Sequence, residues 1–134
     1  MTEPDAIVYV VEDDAAMRAA IDSLLRSEGF RVRSFGSAAE FLSRPVTKAL
    51  ACLVLDVDLP GQNGLELQHA LASREPSLPV VFITGHGDIR MSVRAMKAGA
   101  VEFLPKPFLA DQLSNTVATC LQSHAPAGSA HTLV

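Results

Sequence analysis

The chain has 134 residues, of which 49% are hydrophobic, and its 15 acidic and 11 basic residues give a formal net charge of -4. This length suits one domain, and the hydrophobic content is sufficient for a core, which argues against global disorder. The acidic balance lacks the basic face that nucleic-acid binding usually requires, so we expect no direct binding of DNA or RNA by this chain.

Five short apolar runs alternate with longer amphipathic stretches along the chain. Three of the runs read IVYVV, CLVL and VVFI, and they are nearly continuous in Val, Ile and Leu. Strands with this composition are typically buried on both faces, as in a parallel sheet covered by helices. The five predicted strands cover residues 6–11, 31–35, 51–55, 79–84 and 101–104.

The stretches between these strands carry helix signals. A first helix with apolar residues on one face is predicted to end at Gly29. A second helix begins at a capping box formed by Ser37 and Glu40. A third helix lies between Gly64 and Pro76.

Two further helices complete the pattern. Asp88 can cap a fourth helix that ends at Gly99, and Leu113, Val117 and Leu121 mark a fifth. The order is therefore a strand followed by a helix, repeated five times. Because parallel neighbours need right-handed crossovers, this (βα)5 order predicts a doubly wound α/β fold, a three-layer sandwich. We expect its strands in the flavodoxin-like order 2-1-3-4-5, and if that order holds, strands one and three are neighbours.

Carboxylates follow the first and third predicted strands. Strand one ends in Glu12, Asp13 and Asp14, and strand three ends in Asp56, with Asp58 two residues later. Open α/β sheets bind ligands at the carboxyl ends of their strands, so Glu12, Asp13 and Asp56 would meet in one crevice. Three adjacent carboxylates repel one another, and a hard divalent cation such as Mg²⁺ removes that cost.

The ends of strands four and five add groups suited to phosphoryl transfer. Strand four ends in Thr84, and strand five leads into Lys106. An Asp carboxylate such as that of Asp56 can act as a nucleophile and form an acyl phosphate. Lys106 would supply a cation to the phosphoryl group, and Thr84 would supply a hydroxyl donor.

Each of these groups has a simpler interpretation when it is taken alone. Acids after a strand are often helix N-caps, and Asp14, which opens the first helix, is expected to be one. Thr84 alone would be a strand-end hydroxyl, Lys106 a solvated surface lysine, and His86 a loop histidine without a matching metal-ligand spacing. The combination, drawn from separate strand ends, favours a functional site.

Cysteine usage and the chain ends bear on the compartment. Cys52 and Cys120 show no metal-ligand spacing, and Cys52 within an apolar run is most simply a buried hydrophobe. We expect no disulfide framework, no signal peptide at residues 1–6 and no membrane span, which fits the cytoplasm. Residues 125–134 are predicted to be a flexible tail after a domain that covers residues 1–124.

Four segments of this sequence resemble the receiver domain of two-component response regulators. They read VYVVEDDAAMR, LVLDVDLPGQNGLEL, VVFITGHGD and AMKAGAVEFLPKPF, and the resemblance spans roughly residues 6–122. The last two segments are most similar to the FixJ branch, whose members usually couple this domain to a helix-turn-helix output domain. The resemblance implies a CheY-like fold and phosphorelay signalling.

The resemblance implies a role for each acidic residue. Asp56 would be the phosphorylation site, and a histidine kinase or histidine phosphotransfer protein would be the partner that supplies the phosphoryl group. Asp13 would bind Mg²⁺ directly, Glu12 would bind it through water, and Asp58 would contribute its backbone carbonyl. Mn²⁺ would substitute for Mg²⁺. Enzymatic activity would be limited to slow self-phosphorylation and self-dephosphorylation.

The resemblance also implies a conformational switch. Lys106 would bind the phosphoryl group, and its bond to Pro107 would be cis, which is plausible only because proline follows. Thr84 would be the switch hydroxyl, and Phe103 would be the aromatic residue that changes rotamer with it. The face formed by the fourth helix and the fifth strand, roughly residues 88–108, together with the fifth helix, would then pair with a second copy or with an effector.

Some positions define or depart from the family pattern. Met17 and Arg18 set the alignment, which selects Glu12 and Asp13 as the acidic pair, although Glu12 stands where Asp is frequent. Asp58 and His86 are variable positions near the mouth of the expected pocket. We hypothesise that these two residues tune the lifetime of the acyl phosphate by contacting the attacking water.

Other functional classes fit the sequence less well. Asp56-Val57-Asp58 also matches the D-x-D motif of haloacid dehalogenase-like phosphatases, but only about 78 residues follow Asp56 here, and the acidic pair precedes it. A flavin-binding domain should have a phosphate loop rich in Ser, Thr and Gly after strand one, whereas this chain has Glu and Asp there. A pseudo-receiver that binds partners without phosphorylation is a third alternative, against which the complete acidic set argues.

Overall fold

The computed structural model describes residues 6–45, 50–56, 64–74, 78–84, 102–105 and 108–123. Its strands are β1 (Ile7–Val11), β2 (Arg31–Phe35), β3 (Ala51–Asp56), β4 (Val80–Thr84) and β5 (Glu102–Pro105). Its helices are α1 (Ala15–Ser27), α2 (Ala38–Ser43), α3 (Gly64–Arg74) and α4 (Ala110–Ser123). Helix α4 corresponds to the last of the five predicted helices. The helix predicted between Asp88 and Gly99, and the predicted tail at 125–134, lie outside the described residues.

The five strands form one parallel sheet in the order β2-β1-β3-β4-β5, which confirms the predicted topology. Val11 lies opposite both Phe35 on β2 and Leu55 on β3, so the three strands end at one edge. Asp56 is the last residue of β3 and is paired with Ile83, one position before the end of β4. The register therefore brings the residues that follow β1 close to the end of β3.

Both faces of the sheet are covered by apolar side chains. Tyr9 and Val11 belong to the layer that also contains Phe41 of α2, whereas Val8 and Val10 belong to the layer that also contains residues of α1 and α4. All six residues of β3 are buried. This two-sided burial explains why the central strands are nearly continuous in apolar residues, and it confirms the three-layer sandwich.

The ends of α1 follow the predicted local chemistry. Asp14 is the N-cap, and its carboxylate accepts hydrogen bonds from the backbone N–H groups of Ala16 at 3.0 Å and Met17 at 3.2 Å. Gly29 follows the helix with φ of 93°, a left-handed conformation that favours glycine. Among the described residues, no helix is both long and apolar enough to cross a membrane.

The capping box of α2 differs from the prediction in one respect. The Ser37 hydroxyl accepts a hydrogen bond from the Glu40 N–H at 3.1 Å, as expected. The Glu40 carboxylate, however, accepts its bond from the N–H of Gly36 at 3.3 Å rather than from that of Ser37. The carboxylate therefore stabilises the loop between β2 and α2 one residue earlier than a standard box would.

Candidate metal centre

Three carboxylates meet at the carboxyl ends of β1 and β3. Glu12, Asp13 and Asp56 each offer one carboxylate oxygen, and these oxygens lie within 4.8 Å of one another. Oxygen ligands of an octahedral Mg²⁺ ion are at most about 4.2 Å apart, because each lies about 2.1 Å from the metal. Small side-chain adjustments are therefore sufficient for the three groups to share one cation.

The burial of these acids differs. Glu12 is 1% exposed and Asp56 is 3% exposed, whereas Asp13 is exposed to solvent. Burying two ionised carboxylates side by side is costly unless a positive charge compensates them. The donor set thus has the chemistry of a hard-cation site, and Asp13 marks its solvent side.

The local backbone determines how Glu12 is held. Its N–H donates to the Phe35 carbonyl at 3.1 Å, which continues the pairing of β1 with β2 for one residue beyond the strand. Its carboxylate accepts a hydrogen bond from the N–H of Asp14 at 3.2 Å. Its carbonyl accepts a bond from the Arg18 guanidinium at 2.8 Å. From the sequence, Arg18 was expected only to set the alignment to the receiver-domain pattern. No local pattern indicated its contact with the Glu12 carbonyl.

Thr84 and Phe103 lie on neighbouring strands beside Asp56. Thr84 is the last residue of β4 and is fully buried, and Phe103 on β5 is half-buried opposite Phe82. The rings of Phe82 and Phe103 have centroids 6.2 Å apart at an interplanar angle of 41°. Because side chains alternate along a strand, Thr84 points to the same face as Phe82 and is diagonal to Phe103.

Four of the predicted site positions lie outside the described residues. They are Asp58, His86, Lys106 and Pro107. Of the predicted metal ligands, the described part of the structure brings together Glu12, Asp13 and Asp56.

Comparison with known proteins identifies the family. Residues 8–118 match the model of the response regulator receiver domain. Nodulation protein W of Bradyrhizobium diazoefficiens is 54% identical over 112 residues, which are 84% of this chain and 49% of that protein. The transcriptional regulatory protein FixJ of the same organism is 41% identical over 120 residues, which are 90% of this chain and 58% of that protein. The chain spans about half the length of these relatives.

Solved structures agree with the sequence comparisons. Full-length FixJ from B. japonicum superimposes with a TM-score of 0.84 at 40% identity, over 94% of this chain and 62% of that one. The response regulator StyR has a TM-score of 0.83 at 48% identity, over 90% of this chain and 61% of that one. These matches favour a signalling domain over the phosphatase alternative. The chain therefore belongs to the receiver domain family of two-component response regulators.

Proposed function

We propose that Asp56 accepts a phosphoryl group from the phosphohistidine of a histidine kinase or a histidine phosphotransfer protein. The proposal is supported above all by the meeting of Asp56 with Glu12 and Asp13 within 4.8 Å at the edge of the sheet. In the reaction, a carboxylate oxygen of Asp56 attacks phosphorus, the bond from phosphorus to the imidazole nitrogen breaks, and the imidazole takes up a proton. The product is an acyl phosphate on Asp56.

The residues present fit a divalent cation at this position. We propose that Asp13 and Asp56 bind Mg²⁺ directly, that Glu12 binds it through water, and that the backbone carbonyl of Asp58 completes the protein ligands. All of these donors are oxygens, which Mg²⁺ prefers, and Mn²⁺ accepts the same set. When bound, the cation neutralises charge on the phosphoryl oxygens.

The remaining residues of the proposed site hold the phosphoryl group and respond to it. Lys106 contributes a point charge to the phosphoryl oxygens, and its bond to Pro107 is proposed to be cis. Thr84 donates its hydroxyl to a phosphoryl oxygen. Asp58 and His86 are proposed to tune the lifetime of the acyl phosphate through contact with the attacking water.

Phosphorylation is proposed to act on the surface around β5. Movement of Thr84 toward Asp56 opens space beside β4 that the ring of Phe103 fills. The position of Phe103 on the same face of the sheet as Thr84 supports this coupling. Two discrete packings biased by one local charge are sufficient for a switch, and the altered face, centred on residues 88–108, pairs with a second copy or an effector.

A phosphotransfer assay tests the proposal. The protein is incubated with Mg²⁺ and acetyl phosphate, and intact-mass measurement follows the addition of one phosphoryl group, with Asp56→Asn as control. We expect the wild-type protein to be modified slowly and the Asp56→Asn variant to remain unmodified. Modification of the Asp56→Asn variant would place the acceptor elsewhere, and rapid turnover of a generic phosphomonoester would support a phosphatase instead.

The proposed domain boundaries extend slightly beyond the family match. We propose that residues 1–124 form the receiver domain and that residues 125–134 are a flexible tail. The match to residues 8–118 supports this division. Limited proteolysis tests it, because cleavage is expected first within the tail, whereas early cleavage inside the domain would contradict it.

A further inference from the structure

The guanidinium of Arg18 connects the first turn of α1 to the end of β1. Arg18 is half-buried, and its Nη1 atom donates a hydrogen bond to the Glu12 carbonyl at 2.8 Å. This carbonyl lies where the backbone leaves β1 and enters the segment of Asp13 and Asp14. Arg18 thus holds the segment that carries two of the three clustered carboxylates.

The same guanidinium fits closely against the loop between β2 and α2. A Cβ atom at Gly36 would lie 3.2 Å from Nη1 of Arg18 and 3.7 Å from its Cζ. Gly36 does not need to be glycine for its conformation, because Gly29 is the residue with positive φ in the described part of the chain. The absence of a side chain at Gly36 therefore makes room for Arg18. The bond from the Gly36 N–H to the Glu40 carboxylate holds that loop in place.

Residues in the described part of the chain thus hold Glu12 at three points at least. Its N–H is bound by Phe35 at 3.1 Å, its carbonyl by Arg18 at 2.8 Å and its carboxylate by the N–H of Asp14 at 3.2 Å. The bond from Arg18 is the one of these three in which the partner of Glu12 is a side chain rather than the backbone. It is therefore the one that a substitution removes without altering the backbone.

We propose that Arg18 is a positioning residue for the divalent-cation site. By holding the Glu12 carbonyl beside the Gly36 loop, it keeps the carboxylates of Glu12 and Asp13 turned toward Asp56. Arg18 acts through Glu12 and touches neither cation nor phosphoryl group. The inference rests on the proposed function only in assuming that the carboxylate cluster binds a divalent cation.

The sign of the effect distinguishes positioning from simple electrostatics. Arg18 places a positive charge near an acidic cluster, so its removal should strengthen cation binding if Coulomb repulsion were its main influence. Removal of a bond that orients a metal-binding residue instead weakens binding, by about 10- to 100-fold where the bond is made to the ligand group itself. Arg18 binds the backbone carbonyl of Glu12, so the low end of that range is expected. The two influences have opposite directions, and a single affinity comparison separates them.

The test is calorimetric titration of the unphosphorylated protein with Mg²⁺. Calorimetry suits this chain because it contains no tryptophan as a fluorescent reporter. The variants are Arg18→Met, Arg18→Lys and the control Arg31→Met. Arg31 is exposed at the start of β2, at the opposite end of the sheet, so the control removes an equal charge far from the site.

We expect Arg18→Met to weaken Mg²⁺ binding by about tenfold. Arg18→Lys should fall between the wild type and Arg18→Met, because an ammonium group restores the charge and part of the hydrogen bonding. Arg31→Met should stay within about twofold of the wild type, since a distant exposed charge is screened by salt. An Arg18→Met protein that binds Mg²⁺ as tightly as the wild type, or more tightly, overturns the proposal.

A second variant keeps the test decisive if Arg18→Met does not fold. Gly36→Val adds a Cβ atom 3.2 Å from Nη1 and two methyl groups beyond it, so that the guanidinium has to move away without any change of charge. Weaker Mg²⁺ binding by this variant supports the positioning role, and unchanged affinity contradicts it. Failure of the wild-type protein itself to bind Mg²⁺ would instead overturn the proposed function.

Discussion

Glu12 and Asp56 extend from neighbouring strands into one buried position, where their carboxylate oxygens lie within 4.8 Å of each other. The parallel register of β1 and β3 produces this arrangement, because the last residue of β1 is paired with Leu55, directly before Asp56. The folded state therefore holds two carboxylates close together in a region with little water. Unfolding separates them, so their mutual repulsion is an unfavourable contribution to the stability of the metal-free protein.

Neutralising Asp56 should therefore stabilise the metal-free protein. In EDTA at neutral pH, we expect Asp56→Asn to raise the free energy of unfolding by about 2 kcal/mol. This value is the Coulomb repulsion between the two carboxylates at an effective dielectric constant of about 20, reduced by the hydrogen bonding that the substitution alters. Thermal melting measures the change. Asp13→Asn should give a smaller increase, because Asp13 is exposed. An Asp56→Asn variant that melts below the wild type in EDTA would show that repulsion does not dominate.

Addition of Mg²⁺ should reverse this order. A ligand that binds only the folded state stabilises it by about 2.7 kcal/mol at 100 times its Kd. The wild type should therefore gain melting temperature with increasing Mg²⁺, and Asp56→Asn should gain less because one ligand has lost its charge. Equal gains in melting temperature for the two proteins would show that the Asp56 carboxylate does not contribute to metal binding.

Arg44 contributes to stability through two aromatic rings. Its Cζ lies 4.0 Å from the ring centroid of Phe41 and 4.4 Å from that of Tyr9, and the residue is only 5% exposed. Stacking of a planar guanidinium on two rings is not reproduced by an ammonium group. We expect Arg44→Lys to lower the free energy of unfolding by about 1 kcal/mol and Arg44→Ala by about 2 kcal/mol, measured by urea denaturation. Arg33→Lys is the matched control, since Arg33 is exposed and lies 5.5 Å from the Phe35 ring alone.

Asp22 gives stability a dependence on pH at the sheet edge formed by β2. Partial burial would raise the pKa of Asp22, but hydrogen bonds from Ser34 and Arg26, together with the charge of Arg26, outweigh it and hold the pKa below its usual value. A lowered pKa in the folded state adds stability above the pKa of the unfolded chain. That contribution is lost as the pH falls through the folded pKa.

Asp22→Asn should therefore destabilise the protein by about 1 kcal/mol at neutral pH, the value of a typical lost hydrogen bond. The difference from the wild type should begin to shrink below about pH 4, where Asp22 of the unfolded chain takes up a proton, and should disappear once the pH has fallen through the lower pKa of Asp22 in the folded state. Urea denaturation across this pH range measures both effects. Asp111→Asn on the exposed first turn of α4 serves as the control, and a difference for Asp22→Asn that does not change with pH would contradict the argument.

The two cysteines should be unreactive in the folded protein. A hydrogen bond with the Cys120 thiol is the largest cause that raises the pKa of Cys52 well above its usual value, and burial is the second. Both residues are fully buried, and the thiolate is the reactive form of cysteine. We expect labelling by a thiol reagent only at the rate of unfolding, with both thiols reacting in denaturant. Rapid labelling of the native protein at neutral pH would show that this part of the core opens readily.

The sequence predicted the features that depend on local pattern. Continuous apolar runs located β1 and β3, and the N-cap at Asp14 and the helix end at Gly29 followed from their residue types. The meeting of Glu12 with Asp56 followed from the strand order, because the carboxyl ends of neighbouring parallel strands share an edge.

Contacts between distant parts of the chain were not predictable in this way. The fit of Arg18 against Gly36 depends on the relative position of α1 and the loop after β2. The contact of Cys52 with Cys120 joins β3 to α4, and neither residue has a spacing that indicates it. Such contacts are set by packing angles between elements, which periodicity in the sequence does not encode.

The proposed switch can be tested through Thr84 without affecting the phosphoryl acceptor. Thr84→Ala removes the hydroxyl from the end of β4, whereas Thr84→Ser keeps it. We expect both variants to accept a phosphoryl group on Asp56 from acetyl phosphate.

In the wild type and in Thr84→Ser, phosphorylation should shift the NMR signals of Phe103 and of β5, because the ring moves into space that the hydroxyl leaves. In Thr84→Ala these shifts should be largely lost, since no group at the end of β4 responds to the new charge. Identical shifts in Thr84→Ala and the wild type would mean that the signal reaches β5 by a route other than the face that Thr84 shares with Phe103.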